Sequence, residues 1–500
     1  METTDNRFIL RATNIRKSFA GVEALKSVSL EIKKGEIHCL AGENGCGKST
    51  LIKIISGVYD MDEGELEYNG VPFSKITPLE SIVHGVQVIY QDFSIFPNLT
   101  VMENIAINSE VASRHRLISW RRLRKVAREA AQLVEFQADL DLIVGQLSVA
   151  EKQQVAISRA LINNARLIIM DEPTTALTRK EVQTLFRIIK RLQSEGISVL
   201  FVSHKIDEVF EISERFTILR NGENVITDDT ARLNSDDFTF YMTGRRFEKS
   251  CFDADQMGAE PVLDVKGLGL KNGFADISFS VYRGEIVGIT GLLGSGRTEL
   301  AQALFGIRPC DQGVILVEGK KVRISGVTQA MNCGIGYVPE DRLTEGLFLT
   351  QPIGMNIIIS KIDQLTGALG LINEDKVNGE ILQWIEKLAI RTTDPQRPVQ
   401  TLSGGNQQRV VLAKWMSRNM KVLILNGPTV GVDIGSKHDI HEILKSLARS
   451  GLGIIVISDD LPEVLTLCNR VLVMKSGRLS GRLDPKDVSE RELARICIAE

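Results

Sequence analysis

The sequence predicts an α/β protein of two tandem domains, each built on a mainly parallel sheet. Three observations predict it. The first is an internal repeat. KKGEIHCLAGENGCGKSTLIKIISGVYDMDEGELEYNG, from Lys33, aligns with YRGEIVGITGLLGSGRTELAQALFGIRPCDQGVILVEG, from Tyr282. Gly35, Lys48 and Gly70 match Gly284, Arg297 and Gly319 at a constant spacing of 249, and Ser148 and Asp171 match Ser403 and Asn426 at 255. A repeat that long is a whole domain rather than a solenoid unit. The second observation is alternation. Helical stretches (120–136, 374–388) and short apolar runs (167–170, 198–202) succeed one another, as in a parallel sheet covered by helices. The third is a strand–loop–helix passage at the same place in both copies, with a glycine-rich loop in the middle.

The first domain runs over 8–244 and the second over 261–500. Between them RRFEKSCFDADQMGAE, 245–260, mixed in charge and without pattern, reads as a short linker. A chain of 500 residues is too long for one core. The composition, 43% hydrophobic and 25% charged with mean hydropathy +0.01, is that of a soluble globular protein. A net charge of −3 argues against general nucleic-acid binding. Cys39, Cys46, Cys251, Cys310, Cys333, Cys468 and Cys497 are scattered and form no C-x-x-C pair, which fits a reducing cytosol without disulfides or zinc. No apolar run approaches the ~20 residues that span a bilayer, and METTDNRF has no signal-peptide core. Any work at a membrane therefore needs other chains to supply the spanning part.

The chemistry starts at residues 42–50: Gly42, Glu43, Asn44, Gly45, Cys46, Gly47, Lys48, Ser49 and Thr50 fit the phosphate-binding pattern G-x-x-x-x-G-K-[ST]. Residues 36–41 before it read as a buried strand and 49–56 after it as a helix. Glycines at 42, 45 and 47 admit backbone geometry that a Cβ would block. The loop's N–H groups and the helix N-terminus then face a polyphosphate. Lys48 reaches its outer phosphates and the Ser49 hydroxyl holds Mg²⁺.

Further along, Gln91 follows a β-rich run, where an amide can contact Mg²⁺, the terminal phosphate or the attacking water. Residues 167–173, LIIMDEP, form an apolar strand ending in two acids. Asp171 suits Mg²⁺, and Glu172 suits a general base or water-positioning group. His204 ends the next apolar strand. It therefore falls on the same carboxyl edge of the sheet, where ligands of such sheets bind. His38, His84, His115, His438 and His441 read as structural. In the second copy LSGGNQQ, 402–408, is a second glycine-rich anion site before a helix.

With phosphate loop, Gln, LSGGQ-like signature, Asp-Glu-Pro strand end and His in this order, nearly the whole chain resembles the ATP-binding subunits of ABC transporters. GSGRTEL and VPEDR in the second copy are similar to the tandem subfamily that serves monosaccharide importers of the ribose, galactose, arabinose and xylose type. The resemblance implies two P-loop ATPase domains, each with a small antiparallel β-subdomain and an α-helical subdomain besides its parallel core. It implies ATP and Mg²⁺ as ligands, with Ser49, Asp171 and Gln91 at the metal and Lys48, Gln91, Glu172 and His204 in catalysis. It implies that Phe19 stacks on adenine, the alternative being a core aromatic. The partners implied are two transmembrane permease subunits and a periplasmic or extracellular sugar-binding protein. One or two copies of this chain would sit peripherally on the cytoplasmic face of the inner membrane. Ribose is the preferred sugar on resemblance alone.

In that family the two domains face head to tail, each ATP lying between one loop and the other signature. The first site then takes 42–50, Gln91, Asp171, Glu172 and His204 from the first copy and Ser403, Gly404, Gly405 and Asn406 from the second. The second site has Arg297 for lysine, Glu340 for Gln91, Asn426 for Asp171, Gly427 for Glu172 and Asp459 for His204. Val149 and Ala150 replace the glycines of its signature. The losses fall on one composite site. The Asn-Gly pair departs from the family pattern and speaks against hydrolysis there, while Thr298 and the loop backbone remain for binding. Segments 92–104 and 340–346 are the expected surfaces of transmission to the permease. The basic run Arg114, Arg116, Arg121, Arg122, Arg124, Lys125 and Arg128 reads as a solvated helix face, with lipid headgroups or partner loops as the alternative and nucleic acid third. The rival class is a soluble tandem ABC ATPase acting on ribosomes or DNA. The short linker and the degraded second site argue against it.

Overall fold

The computed structural model describes residues 7–112, 119–175, 177–247, 252, 258–365 and 372–498. Its contacts separate the chain into two compact units, Met1–Phe247 and Glu248–Glu500.

In the first unit, β1 (Phe8–Phe19), β2 (Val22–Lys33), β4 (Glu63–Tyr68) and β5 (Val71–Phe73) form an antiparallel sheet in the order β2-β1-β4-β5. The second sheet has β3 (Ile37–Ala41), β6 (Val86–Ile89), β7 (Leu167–Asp171), β8 (Ser198–Val202), β9 (Arg215–Arg220) and β10 (Glu223–Asp229). Its order is β10-β9-β3-β8-β7-β6, parallel throughout except for the β9–β10 edge hairpin. The central strands IHCLA and SVLFV are buried at every position. Both faces of a parallel sheet are covered, so its strands read as continuous apolar runs and do not alternate. The one polar residue inside β3, His38, lies between Glu36 at 3.0 Å and Thr217 at 2.9 Å, a satisfied core histidine.

The second unit repeats this plan. β11 (Pro261–Leu270), β12 (Phe274–Tyr282), β14 (Gln312–Val317) and β15 (Lys320–Val322) make the antiparallel sheet. β13 (Ile286–Thr290), β16 (Ile335–Val338), β17 (Val422–Asn426), β18 (Gly453–Ile457), β19 (Arg470–Lys475) and β20 (Arg478–Leu483) make the other, ordered β16-β17-β18-β13-β19-β20. The helical stretches expected from sequence are Trp120–Leu133 and Glu374–Lys387.

The topology fixes where chemistry collects. β3, β8, β7 and β6 are successive neighbours and point the same way, so residues 42–50, His204, Asp171–Glu172 and Gln91 all leave the sheet at one edge. This is the carboxyl edge at which ligands of such sheets sit.

Candidate functional site

β3 delivers the loop. Gly42, Gly45 and Gly47 have φ of 153°, 81° and 107°. A Cβ on Gly42 would stand 2.4 Å from the Leu219 carbonyl oxygen, and one on Gly47 would stand 2.6 Å from the Leu25 side chain. Gly45 is different: a Cβ there would meet no protein atom within 4 Å, so its need for glycine is conformational and the space beside it is open. The helix Lys48–Ile55 starts without a side-chain cap hydrogen bond, as a helix N-terminus that receives an anion does. Lys48 is buried, and its Nζ donates to the carbonyls of Gly42 at 2.7 Å and Glu43 at 3.0 Å. Cys46 turns inward, and burial pushes its thiol up.

Asp171 ends β7. Burial pushes its carboxyl up, as does the charge of Glu172, and Lys48 and Lys53 offset this only in part. Glu172 adopts φ 48°, and its N–H donates to the Val202 carbonyl of β8 at 3.1 Å. Its Oε1 lies 3.1 Å from His204 Nδ1; that hydrogen bond holds the Glu172 carboxyl below the usual range against the opposing effect of burial. Beneath this pair Glu208 is a buried brace, accepting from Thr174 at 2.7 Å and from Ser203 at 2.9 Å. Gln91 is exposed just beyond β6. Phe19 is 40% exposed, edge-on to Tyr59 at 5.3 Å and under Lys17 Nζ at 5.4 Å, so the core reading of this ring does not hold.

The second unit keeps the frame and changes the chemistry. Thr429 and Ser458 brace Glu463, as Thr174 and Ser203 brace Glu208. Arg297 Nη1 donates to the Gly291 carbonyl at 2.9 Å, as Lys48 does to Gly42, but its Nη2 also lies 3.4 Å from Asp459. The loop cation therefore already has an anion of its own chain. Asn426 is buried and hydrogen-bonds Tyr337. Gly427 has φ 61°, the conformation of Glu172, without a carboxylate.

The two signature turns differ in a way the glycine count alone did not reveal. In the first copy Ser148 and Glu151 form a capping box. The Ser148 hydroxyl accepts from the Glu151 N–H at 3.3 Å, and the Glu151 carboxylate accepts from the Ser148 N–H at 2.8 Å. An internal carboxylate thus fills this helix N-terminus. In the second copy Asn406 stands where Glu151 stands. Ser403 makes no cap hydrogen bond, and its Oγ accepts from Asn406 Nδ2 at 3.0 Å. That N-terminus is open. Gly404 and Gly405 are there for room: a Cβ would stand 2.7 Å from Arg342 Nη2 and 2.3 Å from Ser436 Oγ, respectively.

A family model described as "ABC transporter" matches residues 25–175 and 274–430. The chain is 38% identical over 99% of its length to a protein of Agrobacterium fabrum named "Putative ribose/galactose/methyl galactoside import ATP-binding protein 1", 98% of which is covered. It is 37% identical over 96% of its length to the "Ribose import ATP-binding protein RbsA" of Bacillus subtilis, 97% of which is covered. It belongs to the ABC transporter family.

Within each ABC unit the expected groups fall on their strand ends, and Lys48, Asp171, Glu172 and His204 share one edge. The sequence reading missed the Glu208 and Glu463 braces, the Ser148–Glu151 box and the Arg342 contacts. The box had a signal, S-x-x-E before a helix. The braces had another: Thr174, Ser203 and Glu208 recur as Thr429, Ser458 and Glu463 while the catalytic positions change. In the basic run Arg121, Arg122, Arg124, Lys125 and Arg128 are exposed around a groove of about 560 Å³, with Arg124 paired to Asp141 at 2.6 Å. Arg114, Arg116, His115, Cys251 and most of the expected linker lie outside the described residues. Among the described residues no helix is long and apolar enough to cross a membrane.

Proposed function

We propose that this chain hydrolyses ATP to energise import of a monosaccharide, with ribose the first sugar to test, and that only one of its two nucleotide sites turns over. The observation that carries this reading is the contrast between strand ends. Glu172 and His204 form a 3.1 Å pair beside Asp171 in one unit, while Asn426, Gly427 and an internal Arg297–Asp459 bridge stand in the other. The names of the relatives support sugar import.

The competent site joins residues 42–50 to the signature 402–408 of the other half, head to tail. The open helix N-terminus at Ser403 suits a phosphate, since an uncapped N-terminus attracts an anion. The closed N-terminus at Ser148 supports the second site's failure. Phe19 offers an exposed face for adenine. The donor set Ser49, Asp171 and Gln91 is all oxygen and fits Mg²⁺, which when bound supplies charge neutralisation on the phosphates.

The chain's own residues do the rest. Lys48 leaves the loop carbonyls for the phosphates. Glu172, ionised and oriented by His204, polarises a water for attack on the terminal phosphorus, releasing ADP and phosphate. The resulting movement passes through 92–104 and 340–346 to two permease subunits fed by a sugar-binding protein, with this chain peripheral on the cytoplasmic face. Transport of labelled sugars by the reconstituted complex tests the reading. ATP-dependent uptake of ribose or another monosaccharide is expected, and ATP turnover without uptake of any sugar would refute it.

A further inference from the structure

Arg342 belongs to neither the phosphate loop nor the signature, yet it ties three separate segments together. It stands in 340–346, just after β16. Its Nη1 donates to the Val430 carbonyl at 2.5 Å, its Nη2 to the Gly431 carbonyl at 3.0 Å and its Nε to Gln407 Oε1 at 3.4 Å. Val430 and Gly431 lie in the loop after β17; Gln407 lies in the first turn and a half of the signature helix. The guanidinium also occupies the space a side chain at Gly404 would need. It is therefore the object against which the signature turn is seated.

The first copy is an internal control. Its counterparts are Phe93 for Arg342, Val149 for Gly404 and Lys152 for Gln407, so the guanidinium, its one side-chain acceptor and the glycine that makes room for it have all changed. There, segment 92–104 is pinned to the far end of its signature helix, by Arg159 donating to the Ser94 carbonyl at 2.7 Å and the Phe93 carbonyl at 3.1 Å. The second copy keeps an equivalent far pin, Lys414 to the Gly346 carbonyl at 2.7 Å, and adds the clasp at the helix N-terminus. A planar guanidinium bonding two successive carbonyls is a geometry lysine cannot reproduce.

We propose that Arg342 is a positioning residue for the signature turn of the second unit, holding Ser403–Gly404–Gly405 in the pose that receives a phosphate and coupling that turn rigidly to segment 340–346. The proposal rests on the reading above that this signature turn takes part in binding ATP. A displaced signature weakens closure on nucleotide, so the loss is read in the ATP requirement more than in the chemical step.

The test is steady-state ATP turnover of the intact transporter carrying Arg342→Ala or Arg342→Lys, with Glu172→Gln as reference and thermal melting alongside. Arg342→Ala is expected to raise KM for ATP about tenfold with kcat within about threefold of wild type, and Arg342→Lys to fall between, since one carbonyl bond remains. A purely structural role would instead lower melting temperature and kcat with KM unchanged. An unchanged KM in both variants overturns the proposal, and if Arg342→Ala does not fold, an unchanged KM in Arg342→Lys overturns it alone. Full activity of Glu172→Gln would instead refute the reading that Glu172 serves the one competent site, a separate outcome.

Discussion

Glu172 holds a left-handed backbone, φ 48°, that a side chain tolerates at a cost of about 1–2 kcal/mol. Gly427, at the same place in the other unit, adopts φ 61° at little cost. Strain kept at one strand end and relieved at the other is what the proposed working site and its altered counterpart should show. Glu172→Gly is accordingly expected to leave thermal stability within about 1 kcal/mol of wild type, the lost His204 bond offsetting the relieved strain, while abolishing turnover. A second residue-scale prediction concerns Glu463. Burial alone would push its carboxyl up, but hydrogen bonds from His441 and Ser458 and the charge of Lys437 outweigh this and hold it at about 2. A depressed carboxyl stabilises the fold above its unfolded value near 4.5, here by about 3 kcal/mol, and that contribution is lost as pH falls toward 2. Denaturant melts between pH 5 and pH 2 should therefore steepen for wild type relative to Glu463→Gln. The common placement of Lys48, Asp171, Glu172 and His204 was legible because each ends an apolar strand of one parallel sheet or lies in the loop that directly follows it. Arg342 was not, because its main partners are backbone carbonyls 88 and 89 residues away, which leave no mark on the sequence.

At the scale of single elements, the two signature helices make opposite use of the same serine. Ser148 caps its helix, whereas Ser403 makes no cap hydrogen bond. Ser148→Ala should therefore cost about 1 kcal/mol of stability, the usual worth of an N-cap, and leave ATP turnover unchanged. Ser403→Ala should leave melting unchanged and reduce turnover. Paired melting and phosphate-release measurements check both, and the reverse pattern would contradict the assignment of roles. The strand–loop–helix passage was readable to within a residue, since β3 is buried throughout and apolar but for His38, and Gly42 and Gly47 mark the turn. The capping box was equally readable in principle, but the conspicuous change was Val149 and Ala150 for two glycines, and Glu151 lay one position further on.

Across the whole molecule, one domain plan occurs twice, and the repeat made the architecture legible before any single strand was assigned. The same repeat also separates scaffold from chemistry. The Thr–Ser–Glu braces, both parallel sheets and the loop glycines persist, while cation, acid, amide and imidazole change in one copy only. Sequence could pair the intact loop with the distant signature only through family resemblance, because no local pattern links residues some 350 positions apart. One intact and one altered phosphate loop predict unequal effects of equal mutations. Lys48→Ala should lower turnover at least 100-fold, the order of a lost phosphate clamp, and Arg297→Ala should lower it only severalfold. The most direct test of the central claim is steady-state phosphate release by the intact transporter carrying Glu172→Gln. A single competent site predicts a fall of two orders of magnitude or more; release near the wild-type rate would mean that the second site, with Asn426 and Gly427, hydrolyses ATP after all.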